Sequence, residues 1–66
     1  MKLKIDEKSD ALYLRLNDEA IAESEEVKPG VILDYDGTGK VVGVEILGIT
    51  DRAGDRSLRS LSFERV

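Results

Sequence analysis

The run from Pro29 to Leu47, PGVILDYDGTGKVVGVEIL, constrains the fold more than any other part of the chain, because its apolar residues alternate on both sides of a Gly-rich turn as an antiparallel hairpin requires. Val31, Leu33 and Tyr35 share one face of the first strand, and Val42, Val44 and Ile46 share one face of the second. The two sets meet one core only across a loop with an even number of residues. The predicted register therefore pairs Tyr35 with Val42, Leu33 with Val44 and Val31 with Ile46. A two-residue loop at Thr38-Gly39 or a four-residue loop from Gly37 to Lys40 meets that condition, and both place Gly where positive φ is wanted.

The same parity argument predicts a hairpin at the N-terminus. Leu3 and Ile5 alternate with Lys2, Lys4 and Asp6, while Leu12, Leu14 and Leu16 alternate with Ala11, Tyr13 and Arg15. Pairing Ile5 with Leu12 and Leu3 with Leu14 leaves a polar turn from Glu7 to Asp10 and puts Leu14 and Leu33 in one core. Between the hairpins, IAESEEV has Ile21 and Val27 on one parity around a polar interior, which fits a short solvated edge strand. Pro29-Gly30 then turns the chain, since Pro cannot donate to a ladder. After Leu47, Thr50 or Asp51 is placed to cap a short helical turn, and Leu61, Phe63 and Arg65 alternate with Ser60, Ser62 and Glu64 as in a last strand, with Phe63 as a core anchor. The expected fold is mainly β, a β-rich α+β domain spanning 1–66: an antiparallel meander of two hairpins plus an edge strand over 1–48, then a helical turn and a strand over 49–66.

At 66 residues the chain is near the lower limit for a self-sufficient core. It has no cysteine for a staple and no histidine for zinc, so self-association is the expected support and no cofactor is expected. No secretory core and no apolar run approaching about 20 residues is present, which predicts a soluble cytoplasmic protein without membrane contact. Residues 1 to 51 hold six Lys or Arg against twelve Asp or Glu, whereas 52 to 66 hold four Arg against Asp55 and Glu64. An acidic body repels phosphate backbones, and the tail lacks interleaved aromatics, so no nucleic-acid partner is expected.

One stretch imitates a metal site. Asp34 to Glu45, DYDGTGKVVGVE, matches a twelve-residue EF-hand loop with Asp34, Asp36 and Thr38 at positions 1, 3 and 5, Gly39 at 6 and Glu45 at 12. Its flanks are strands rather than helices, and Val42 at position 9 offers no ligand. The expected reading is a hairpin turn with solubilising carboxylates, with Asp34, Asp36 and Glu45 as the candidates for a divalent cation or a small ligand. Ser24, Ser57, Ser60 and Ser62 have no histidine to activate them, so no enzyme is expected.

The second sheet face carries Ala11, Tyr13, Ile32, Val41, Gly43 and Leu47 among Arg15, Asp34, Asp36 and Glu45. That is too apolar for a solvated face, and Gly43, opposite Asp34, leaves a gap for another group. Tyr13, Ile32, Val41 and Leu47 are therefore the candidate interface of a homodimer, which fits a non-enzymatic protein-interaction module, with an exposed edge strand or the Arg-bearing tail offered to a protein partner.

The succession DALYLRL at Asp10 to Leu16, ESEEVKPGVILDYD at Glu23 to Asp36 and GKVVGVEIL at Gly39 to Leu47 resembles the YuzE-like family of small prokaryotic proteins of unknown function, over roughly residues 1 to 51. The chain departs from the family after Leu47, where similar proteins continue into A-S-x-R-like helical sequence and this one reads GITDRAGDRS. The resemblance implies a stand-alone domain with no catalytic residues to carry over, and proximity of some members to small toxin-like proteins implies an antitoxin-like partner as a further reading.

Overall fold

A computed structural model describes residues 1–54 and 60–66. Five strands form one antiparallel sheet: β1 (Lys2–Asp6), β2 (Ala11–Arg15), β3 (Glu23–Lys28), β4 (Val31–Tyr35) and β5 (Val41–Leu47), followed by the single-turn helix α1 (Ile49–Ala53). The spatial order is β1-β2-β5-β4-β3. Both expected hairpins and the expected edge strand are present, and the hairpins are joined by pairing β2 with β5, so the chain after β2 must cross to the far edge before it starts β3. Arg15 shapes that crossover: its guanidinium donates to the carbonyls of Asn17, at 2.7 Å, and Glu19.

The first hairpin has the predicted register, Ile5 against Leu12 and Leu3 against Leu14. Its polar turn is held by Asp6, whose Oδ1 accepts the Lys8 N–H at 3.0 Å. The central hairpin keeps Val31 against Ile46 and Leu33 against Val44, but Tyr35 pairs with Val41 and not with Val42. Asp36 N donates to Lys40 O at 2.9 Å and Gly39 N to Asp36 O at 3.1 Å, closing a three-residue loop in which Gly39 has φ of 87°. An odd loop would turn one strand's apolar set outward. The register shift beside Tyr35, with Val42 as the extra residue, restores the parity, so evenness is met by loop plus bulge. A second bulge lies between Glu26 and Lys28 on β3.

The C-terminal part differs from expectation. Helix α1 is capped by Gly48, at φ 66°, without a side-chain cap of its own, and Thr50 lies inside it. Residues 60–66 form no strand and are exposed, Phe63 to 86%, so Phe63 is not a core anchor. The stretch 55–59, read as the link between helix and strand, lies outside the described residues. Among the described residues no helix is long and apolar enough to cross a membrane.

Candidate interaction surface

The registers sort the side chains into two faces. Across the first face run two rows, Leu3–Leu14–Val44–Leu33 and Ile5–Leu12–Ile46–Val31. Paired residues share a face, so these eight aliphatic side chains form one continuous surface over four strands. None of them is buried: Leu3 is 43% exposed and the other seven, Leu14 and Leu33 among them, are half-buried. The expected common core of Leu14 and Leu33 is a half-open layer. Ala11 and Val42 are the buried apolar residues among those described. Strands about 4.8 Å apart and about 17 Å long give four strands roughly 300 Å² in projection, comparable to the largest apolar patch of an ordinary monomer.

The second face is built around a polar centre. Asp34 on β4 is 8% exposed, and both its oxygens are engaged: Ser24 Oγ on β3 donates to Oδ1 at 2.6 Å and the Tyr13 hydroxyl on β2 to Oδ2 at 2.7 Å. Tyr13 reaches Asp34 by crossing β5 at Gly43, where a Cβ would lie 2.6 Å from the Tyr13 hydroxyl oxygen and 2.8 Å from Asp34 Oδ2. The gap foreseen at Gly43 is thus filled from within the chain. The Asp34 carboxylate, as acceptor of the hydroxyl, holds the Tyr13 ionisation above its ordinary value of 10.0.

The remaining candidate carboxylates are apart in function as well. Asp36 Oδ1 accepts Thr38 N at 2.8 Å, Thr38 Oγ1 at 2.7 Å and Lys40 N at 3.0 Å, which makes it the organiser of the loop. Those bonds, the Thr38 hydroxyl first, keep its carboxyl below the ordinary range. Glu45 opposes Ile32 and lines a shallow hollow with Lys4, Asp6, Ser9, Ala11 and Tyr13. Among the described residues no three His, Cys, Asp or Glu side chains are grouped to hold a metal. The EF-hand-like spacing is used for a turn cap and a hydrogen-bonded strand pair instead.

Of the four candidate interface residues, Tyr13 is tied to Asp34, Ile32 is half-buried on the second face, and Leu47 is 38% exposed opposite Ala11. Val41, 37% exposed, is carried by the bulge opposite Tyr35, away from the face that simple alternation assigns to it. The Tyr35 hydroxyl donates to Glu25 Oε1 at 3.0 Å, closing the open face at its β3 side.

Three tertiary contacts escape a reading along the chain. Asp10, in the first turn at φ 53°, accepts the Thr50 N–H at 3.1 Å and the Thr50 hydroxyl at 2.8 Å, so it caps α1 from forty residues away. Arg52 donates to Leu47 O at 2.9 Å and Pro29 O at 2.7 Å, clamping the β3–β4 turn to the end of β5. Ser24 completes the Asp34 centre. Capping by a distant Asp and clamping by an Arg leave no local pattern; the Asp at a left-handed turn position is the one signal.

Residues 2–49 match the family model described as a protein of unknown function, DUF2283. No curated protein and no solved structure matches the chain.

Proposed function

The chain belongs to the DUF2283 family of proteins of unknown function, and from that premise we propose that it is a non-enzymatic interaction module that works as a homo-oligomer, two copies meeting through the apolar first face of the sheet. The finer YuzE-like affiliation is part of the same proposal and rests on the ordered motifs from Asp10 to Leu47.

The observation that carries the reading is the pair of aliphatic rows with no buried member. A 66-residue chain without cysteine has few other ways to remove such a surface from water. The rows contain no charge, whereas the chain as a whole is 36% charged. An uncharged aliphatic face has nothing with which to select a polar partner and is complementary to itself, and sheets of this kind pack face to face about 10 Å apart. The second face is closed off by hydrogen bonds around Asp34, which leaves the first as the adhesive one.

Sedimentation at several concentrations tests this. The parent associates, its melting temperature rises with concentration, and Leu33→Glu lowers the assembled mass while Ile32→Glu, on the other face, does not. A monomer at every concentration, or equal association of Leu33→Glu and the parent, refutes the face-to-face contact. An antitoxin-like role would use the same face for a different chain and would appear as displacement of the self-contact by that chain.

A further inference from the structure

Among the described residues no strand pairs with the outer side of β1 or β3, and these two edges are chemically unlike. At one, β3 reads ESEEVK with every residue exposed. Placing β3 against a second β3 about Ser24, Glu25 or Glu26 sets Glu23 against Glu25, Glu25 against Glu25 or Glu26 against Glu26, and the register about Val27 runs over the bulge between Glu26 and Lys28, which breaks the ladder. Like charges directly opposite destabilise a strand pair, and such charges are how natural edges avoid pairing. This edge is guarded.

The other edge, β1, reads KLKID. Two antiparallel copies related by a twofold axis through Lys4 pair Lys2 with Asp6 twice and Leu3 with Ile5 twice, across the full strand. Lys4 faces its own counterpart, the one like-charge pair of the register, with the other copy's Asp6 at one diagonal and its Lys2 at the other. The register sets opposite charges together on the second face and continues both aliphatic rows, which end at Leu3 and Ile5, into the second sheet. Asp6 is kept ionised for this by the Ser9 and Lys8 hydrogen bonds that hold its carboxyl below the ordinary range. Leu3 is 43% exposed at this edge, the apolar residue that such pairing would cover.

We infer that β1 is a second self-association site, at which two copies join edge to edge in the Lys2–Asp6 register to make one continuous ten-stranded sheet. The contact is isologous and closes on itself, because the outer edges of the joined sheet are both β3 and both guarded. Of the first face it uses only the row ends Leu3 and Ile5 and leaves Leu14, Val44 and Leu33 free, so it can be tested separately from the face-to-face contact, and the two together give an assembly of four chains.

The absence of native cysteine gives a direct test. Opposed residues in an antiparallel pair have Cα atoms about 4.5–5.5 Å apart, within disulfide range. Lys4→Cys therefore forms a disulfide-linked pair rapidly under mild oxidation, at least about tenfold faster than Leu3→Cys, whose counterpart is displaced along the strand, or Glu25→Cys on the guarded edge. The same cross-link forms in a Leu33→Glu background, where the face contact is disabled. Lys2→Glu without any cysteine weakens edge association by about tenfold, since two attractive pairs become repulsive. Equal cross-linking rates at residues 3, 4 and 25 overturn the inference, as does loss of the Lys4→Cys cross-link in the Leu33→Glu background.

Discussion

The Tyr13 hydroxyl donates to Asp34 Oδ2 at 2.7 Å over the bare Cα of Gly43, so two strands that are not neighbours, β2 and β4, are tied across the one between them. Asp34 is one of three buried non-glycine residues among those described and the polar one of the three.

Removing the hydroxyl in Tyr13→Phe strands Asp34 Oδ2 and lowers stability by about 1–3 kcal/mol, the cost of a lost hydrogen bond to a charged acceptor. Gly43→Ala places a methyl 2.6 Å from the same hydroxyl oxygen and costs a similar amount through overpacking. Because both act on one contact, urea unfolding of the double variant shows less than the sum of the two losses. Additive losses would mean that the hydroxyl does not lie over Gly43.

Alkaline pH loosens the fold through its tyrosines. Tyr13 is raised by its bond to Asp34 and Tyr35 by its bond to Glu25, so between the ordinary value of 10.0 and the folded value the native state holds protons that the unfolded state has released. Stability is then complete below pH 10.0 and falls as pH rises through the folded values. Thermal melts across this range show the fall, and it is shallower in Tyr13→Phe.

At the acid end the sign reverses. Asp36 is held below the ordinary carboxylate value of 3.8 by the Thr38 hydroxyl and the backbone of the loop, so its contribution is present above 3.8 and is lost as pH falls through the folded value. Thr38→Val removes the leading bond and moves the Asp36 carboxyl resonance, followed by NMR, to a higher midpoint. An unchanged midpoint would place the cause elsewhere.

Helix α1 depends on a residue in the first turn. Asp10→Ala loses the cap on Thr50 and must also hold φ of 53°, costing about 1–2 kcal/mol. Asp10→Gly relieves the backbone but not the cap and recovers part of the loss. Hydrogen exchange at Arg52, whose amide donates to Gly48, speeds up in both variants.

In the central loop, Gly39 at φ 87° has nothing within 4 Å of where a Cβ would go, so any penalty there is conformational rather than steric contact. Gly39→Val lowers stability by about 1–2 kcal/mol, measured by chemical denaturation. No change would show the loop to have another closure.

Alternation of apolar residues was enough to find the five strands of the sheet, the N-terminal register from Lys2 to Arg15, and the Leu33–Val44 and Val31–Ile46 pairs, because a period of two is a local property, but the same alternation at Leu61, Phe63 and Arg65 corresponds to no strand, since no neighbouring strand takes it up. It was also enough to show that DYDGTGKVVGVE lies on a hairpin. What it could not supply were the two bulges. An unbroken ladder leading into the Lys28–Val31 pair would set Glu25 against Asp34; the bulge between Glu26 and Lys28 sets Ser24 there instead and turns a carboxylate pair into a hydrogen bond. Pairing of β2 with β5, the reach of Tyr13 over Gly43, the Asp10 cap and the Arg52 clamp likewise join residues far apart in the chain. Periodicity records which side of a strand a residue is on, whereas a bulge, a crossover or a distant cap is chosen by the free energy of the assembled sheet, and only the tertiary structure carries that choice.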